Sequence, residues 1–247
     1  MSRLSHSRSR TLSWSMIPFI LLFPLMHLAA RDVIISELNE IREEYGIPGL
    51  KFDEASGTAA SIHARDLSER LTLSHWGADG SRVADRYRLA GGTGLRAGEN
   101  LGAGDSIKSI IEAWMDSPAH RKNIINPDWF SGGASVVHSP GGRLVIVVVF
   151  NNSRWRQRGF RINGNRVLVD GDLSLSPGMF PQAVFLKTAD KEINSLTAVI
   201  NDQNSVSLHF DFPIPDKWQS GEVAAMEMNL FENGKLVKTD LILQDIP

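Results

Sequence analysis

The sequence contains no cysteine. That single absence excludes disulfides, thiolate metal sites and cysteine nucleophiles together. It also excludes the lipid-bearing cysteine of a bacterial lipoprotein anchor. The N-terminal apolar run Met16–Met26 is about half as long as a bilayer-spanning helix requires. No Gly-Lys-Ser/Thr follows a strand-like run, so the glycine-rich stretches 91–94 and 98–104 read as flexible loops rather than phosphate cradles. No His-Glu-x-x-His and no serine-hydrolase motif is present. Low-complexity linkers and internal repeats are likewise missing.

What is there suits a folded chain with a sizeable core: 247 residues, 42% hydrophobic and 22% charged. Residues 1–30 stand apart. Arg3, Arg8 and Arg10 precede the apolar run, and His27-Leu28-Ala29-Ala30 offers small residues before Arg31. This reads as a secretory signal peptide, with an uncleaved anchor as the alternative. Cleavage after Ala30 removes three arginines and no acid, leaving 23 basic and 28 acidic residues, a net charge of −5. No polybasic cluster is read in the remainder, so nucleic acid and anionic membrane surfaces are not expected partners. Export without cysteine points to a bacterial protein, periplasmic or extracellular.

The remainder divides near Ser153, giving residues 31–152 and 153–247. Ile34, Leu38, Ile41 and Tyr45 keep helical spacing up to Gly46 and Pro48. A second helix is predicted over 53–71, with Ala55, Ala59, Ile62, Leu67 and Leu71 inward. A shorter one is capped by Ser81 and carries Val83 and Tyr87. A fourth, capped by Asp105, places Ile107, Ile110, Ile111 and Trp114 on one face. Leu144–Phe150 is continuously apolar, as in a central strand covered on both faces. Helices on both sides of a small sheet follow. Beyond residue 153 the text alternates in six or seven short strands, with Asn163-Gly164 and Asn233-Gly234 as tight turns. An all-β sandwich of immunoglobulin-like kind is predicted there.

Of the seven histidines, His75 and His120 stand where the chain turns back and side chains can converge. His63, mid-helix in a polar stretch, reads as solvated or supporting, and His138 and His209 as exposed. Ser117-Pro118 reads as the cap and first residue of a short helix, its hydroxyl engaged with that helix's amides.

Several collinear segments resemble the CAP superfamily (cysteine-rich secretory, antigen 5 and pathogenesis-related 1 proteins), in its cysteine-free bacterial branch. They are Leu38-Asn-Glu-Ile-Arg42, Ala64-Arg-Asp66 leading to Leu73-Ser-His75, Ala78-Asp-Gly80, Gly98–Gly104 with Glu99-Asn100, and Ala113–Ile124. The resemblance implies an α+β fold, a three-layer α-β-α sandwich over 31–152. It also implies a cleft holding His75, Glu99 and His120, where Ser117 replaces the family's second glutamate. Asn100, Ser117, Arg121 and Asn123 are then expected to support the cleft. Two imidazoles beside a carboxylate can hold Zn²⁺ with water in the open position, Glu99 taking its proton. The missing glutamate favours a binding module for a lipid, a cell-envelope component or a protein partner. A metal-dependent, peptidase-like hydrolase using His75, His120 and Glu99 is the alternative, and a structural or adhesive envelope protein the third.

Overall fold

The computed structural model describes residues 22–175, 183–188, 192–194, 197–202, 205–216, 218–221, 223–232 and 235–246. The leader up to residue 21 and the predicted Asn233-Gly234 turn lie outside them. Helix α1 (Leu22–Glu44) continues through Ala30-Arg31, where the sequence places a cleavage point. It ends at Gly46, whose φ of +67° lets Ile47 N–H reach back to the Arg42 carbonyl.

Strand β1 (Lys51–Phe52), helices α2 (Glu54–Arg70) and α3 (Val83–Leu89), and strand β2 (Ala97–Gly104) follow. Next come α4 (Ile107–Asp116), α5 (Pro118–Ile124), β3 (Ser131–His138) and β4 (Leu144–Asn151). The sheet order is β1-β3-β4-β2, parallel at β1–β3 and antiparallel elsewhere. Strand β4 is central, as its unbroken apolar run predicts. Its side chains alternate between two cores. Ile146, Val148 and Phe150 join α1, α4 and α5, while Val145, Val147 and Val149 join α2 and Tyr87. Each fully buried side chain of this kind contributes roughly 1.5–3 kcal/mol.

Several local expectations are corrected. The inner face of α2 is Ser56, Ala59, Ala60, His63, Ala64 and Leu67, a rotation that leaves Ile62 44% exposed. Arg82 and Ser106, rather than Ser81 and Asp105, stand at the N-caps of α3 and α4. The stretch 98–104 is strand, not flexible loop. Its glycines are there for close packing: a Cβ on Gly102 would lie 2.8 Å from Ile110 Cγ2, and one on Gly98 2.7 Å from Trp129.

Arg42 closes one end of this layered structure. It is fully buried and donates to the carbonyls of Pro48, Ile124, Asn126 and Trp129 at 2.8–3.0 Å. Burial lowers its pKa to about 10, so the guanidinium stays charged at neutral pH.

The C-terminal half holds eight strands among the described residues: β5 (Trp155–Asn163), β6 (Arg166–Ser174), β7 (Ala183–Lys187), β8 (Glu192–Asn194), β9 (Thr197–Asp202), β10 (Ser205–Pro213), β11 (Val223–Glu232) and β12 (Lys235–Asp245). They form two four-stranded antiparallel sheets, β5-β6-β10-β9 and β12-β11-β7-β8. One core, including Val169, Leu208, Phe210, Met226 and Leu230, lies between them. The turn from β5 to β6 is centred on Gly164-Asn165, one residue later than the sequence suggests, with φ +60° at the glycine.

The halves are fastened by Asp240 of β12, which is fully buried. It accepts from Thr93 Oγ1 at 2.7 Å, from Ser153 Oγ, and from the backbone N–H groups of Arg154 and Trp155 at 3.0 and 3.2 Å.

Candidate functional site

Strand β2 is a sheet edge, so its alternate side chains serve opposite helical layers. Glu99 faces α2 and α3, and Asn100 faces α5. On the first side Glu99 is 5% exposed. Its Oε2 accepts from Arg86 Nη2 at 2.8 Å, and its Oε1 from His75 Nδ1 at 2.9 Å. Arg86 is 3% exposed and also donates to the Ser81 carbonyl at 2.8 Å. Behind them His63, wholly buried, places Nε2 2.8 Å from the Ser74 carbonyl. A carbonyl only accepts, so His63 carries its proton on Nε2. Its Nδ1 is buried without a hydrogen-bond partner.

On the other side Asn100 Nδ2 donates to the His120 carbonyl at 3.0 Å. Asn123 donates to the Glu99 carbonyl at 3.1 Å and to Asn100 Oδ1 at 3.0 Å. Arg121 donates to the Met115 carbonyl at 3.2 Å. These contacts fix α5 against the strand. His120 Nδ1 meets Ser117 Oγ at 2.9 Å. Ser117 is the N-cap residue of α5, as expected, yet its side chain makes no capping bond. The imidazole one turn along is its partner instead.

The pKa values of His75 and His120 move in opposite directions. The hydrogen bond to Glu99 raises the pKa of His75 above the ordinary value. Burial, with the charge of His75 adding to it, lowers that of His120. Burial also lowers that of His63. The opposite directions mean that His75 keeps its proton to higher pH than His120 does, a pairing suited to donating and accepting hydrogen bonds. Among the described residues neither Nε2 atom has a hydrogen-bond partner.

A groove begins at His120. Leu101, Ile110, Trp114, Ser117 and His120 line a cavity of about 460 Å³. Leu67, Leu71, Thr72 and Val145 line an adjoining one of about 540 Å³. Leu73, Ala103 and Arg143 belong to both. Leu71 adopts φ +53°, a left-handed conformation uncommon outside glycine, and is 69% exposed at the groove wall.

The cysteine-rich secretory protein (CAP) family model matches residues 35–151. That segment is a CAP domain. The CAP domain is 28% identical over 107 residues to the uncharacterized protein YkwD of Bacillus subtilis (strain 168), covering 43% of this chain and 42% of that one. It is 23% identical over 124 residues to an uncharacterized protein of Borreliella burgdorferi, covering 50% and 79%. Among solved structures, an outer surface protein from Borrelia burgdorferi matches with TM-score 0.46 and 24% identity, over 49% of this chain and 90% of that one. An extracellular protein containing a SCP domain from Bacillus anthracis matches with TM-score 0.49 and 22% identity, over 57% and 45%. The chain thus spans less than half the length of YkwD.

The CAP domain brings His75, Glu99, Asn100, Ser117, His120, Arg121 and Asn123 together around one sheet edge. Sequence reasoning missed Arg86 and left open whether His63 is solvated or supporting; it is wholly buried, 3.8 Å from Glu99. Both had a signal. Arg86 is three residues past Val83 and adjoins Tyr87, and His63 is four from Ala59 and Leu67, so each falls on a buried helix face. Trp76 is half exposed beneath Arg82, whose Cζ lies 4.4 Å from the ring centroid. Trp129 is buried against Phe150.

For a metal, His75 and His120 offer two imidazole nitrogens, while both Glu99 oxygens are already engaged. Among the described residues no group of three histidine or carboxylate side chains is placed to hold an ion. Catalytic zinc sites use three protein ligands; among the described residues His75 and His120 supply two.

Proposed function

We propose that this is an exported binding module, and that the groove running from His120 to Val145 takes an apolar segment of a lipid, cell-envelope or protein ligand. The groove carries the reading. Its walls are largely apolar, its combined size falls in the range of small-ligand sites, and the polar His75–His120 edge stands at one end to fix orientation. Glu99, engaged by Arg86 and His75, acts as the organiser of that edge. Fluorescence titration with cis-parinaric acid tests the proposal. Saturable binding that Leu73→Glu abolishes is expected; no saturable binding, or binding indifferent to Leu73→Glu, sinks it.

The leader of three arginines and an apolar run supports export. We read residues 153–247 as an immunoglobulin-like sandwich serving as spacer or second recognition surface. The strand orders β5-β6-β10-β9 and β12-β11-β7-β8 support this, since they follow the immunoglobulin pattern with one strand added beside the third.

The hydrolase reading retains one supporting observation. A carboxylate bonded to His75 Nδ1 is the arrangement that orients metal-binding histidines. Zinc titration separates the readings. Stoichiometric binding lost in both His75→Ala and His120→Ala favours the hydrolase; no binding leaves the binding module.

A further inference from the structure

Ser117 and His120 form a pair of their own, apart from the Glu99 cluster. Ser117 Oγ stands 2.9 Å from His120 Nδ1. An N-cap serine ordinarily engages its hydroxyl with the amides of its helix, yet Ser117 makes no capping bond. The hydroxyl has no other acceptor among the described residues, so Oγ–H donates to Nδ1 and the imidazole carries its own proton on Nε2. The histidine is held in place around this bond. Asn100 Nδ2 donates to its carbonyl at 3.0 Å, and the Trp114 ring lies 6.4 Å away, centroid to centroid. A hydroxyl donating to a neutral imidazole is the resting arrangement of a serine nucleophile and its general base.

The main chain beside this pair offers unpaired donors. Asn152 N–H donates to the Arg96 carbonyl, continuing the register that pairs Ala97 with Asn151. That bond sets the parity of the antiparallel ladder. Even-numbered residues of β2 bond β4, while Glu99, Leu101 and Ala103 turn their N–H and C=O groups to the free edge. The three outward carbonyls are already engaged, by Asn123 at 3.1 Å, Trp114 at 3.1 Å and Arg143 at 3.0 Å. Among the described residues the N–H groups of Leu101 and Ala103 have no partner. Leu101, Gly102, Ala103 and Gly104 line the same cavity as Ser117 and His120. Where a glycine lines a cavity, main chain faces it. Fixed N–H donors beside a serine–histidine pair are the elements that hold a carbonyl oxygen as it gains charge. No linear motif marks Ser117, because these donors come from another element.

We propose that Ser117 is the nucleophile of an acyl-transfer site whose substrates are esters with an apolar acyl chain. His120 Nδ1 accepts the hydroxyl proton as Ser117 Oγ attacks the carbonyl carbon, and the N–H groups of Leu101 and Ala103 hold the oxyanion. The bond to the leaving alcohol breaks, the alcohol takes the proton from His120, and the acyl group stays on Ser117 as an ester. Water then adds by the same route, giving its proton to His120, and a carboxylic acid leaves as Ser117 regains its hydroxyl. The acyl chain lies in the adjoining cavity of Leu67, Leu71 and Val145. The inference rests on the groove reading for its choice of substrate and not for its nucleophile.

The test is covalent labelling of the full chain with a long-chain alkyl fluorophosphonate and, in parallel, with diethyl fluorophosphate, read by intact mass and peptide mapping. One adduct is expected, on Ser117, forming faster with the long-chain probe. His120→Gln should label at least about a hundredfold more slowly, as removal of a general base predicts. Ser36→Ala, at an exposed serine of α1, should label like the parent. p-Nitrophenyl octanoate should give a burst of p-nitrophenol with the parent and none with Ser117→Ala. The mapping is made on the parent chain, so misfolding of a variant does not blur it. Absence of an adduct on Ser117 overturns the proposal, as does labelling at the parent's rate in His120→Gln. Binding of cis-parinaric acid without an adduct overturns the proposal and leaves the groove reading standing. An adduct on Ser117 formed at equal rates with both probes supports the nucleophile and sinks the groove.

Discussion

Replacing Glu99 with glutamine separates an organising carboxylate from a catalytic one. Arg86 and Glu99 pair at 2.8 Å with side chains 3% and 1% exposed. Glutamine keeps the shape but removes the charge, leaving a buried guanidinium with neutral acceptors only: the glutamine amide oxygen, the Ser81 carbonyl and hydroxyl at 2.8 and 3.4 Å, and the His75 carbonyl at 3.4 Å. Removing one member of a buried pair costs about 3–5 kcal/mol, and these acceptors place this case at the lower end. In a chain of this size each kcal/mol shifts Tm by about 2–4 °C, so Glu99→Gln should melt roughly 6–12 °C below the parent. Circular dichroism melts and urea unfolding read this directly. The variant Arg86→Met/Glu99→Leu removes both charges and should recover most of the loss. A Glu99→Gln protein as stable as the parent, or more so, would refute the reasoning. That outcome marks a carboxylate held under strain for chemistry.

Imidazole NMR titration should find His75 above and His120 below the ordinary histidine pKa of about 6.5; the reverse order would contradict the His75–Glu99 bond. The two directions act oppositely on stability. The raised pKa of His75 contributes stability below about pH 6.5 that is lost as pH rises through its folded value, whereas buried neutral His63 destabilises the fold as pH falls below about 6.5. His63→Gln should therefore flatten the acid limb of a urea-midpoint profile, and an unchanged limb would show that His63 is not its source. Gly102→Val should lose about 1–3 kcal/mol by forcing α4 away from β2; a melt unchanged within error would mean the interface yields freely. Asp240→Ala strands four donors at the junction and should cost at least about 3 kcal/mol, splitting one thermal transition into two. A single transition at the parent temperature would show that Asp240 does not couple the halves.

Much of the CAP domain was legible in its residues. The unbroken run 144–150 announced a strand covered on both faces; of the three motif residues His75 bonds Glu99, while His120 bonds Ser117 on the other side of β2. What failed to show has physical reasons. Alanine and serine faces carry little hydrophobic contrast, so the inner side of α2 was read about one residue out of phase and His63 was read as solvated or supporting rather than as wholly buried. Strand β5 was not predicted because the bulge between Gln157 and Gly159 breaks its alternation and arginines fill its outward positions. The glycines of 98–104 read as flexibility, yet their role depends on Ile110, Trp114 and Trp129, partners distant enough in sequence to escape local pattern. Ser117 was assigned to its helix because a serine before proline usually caps; the imidazole three residues on competes for the same hydroxyl.

Arg42 touches only main-chain oxygens in the segment it secures. Any amino acid presents the same carbonyl, so the guanidinium fixes the path from Ile124 to Trp129 while placing no demand on most of the side chains along it. Stability and surface chemistry are thereby uncoupled in that segment. Substitutions at Pro127 or Asp128 can alter the surface chemistry of the loop without loosening the fold beneath, whereas a single change at Arg42 would release the whole loop at once.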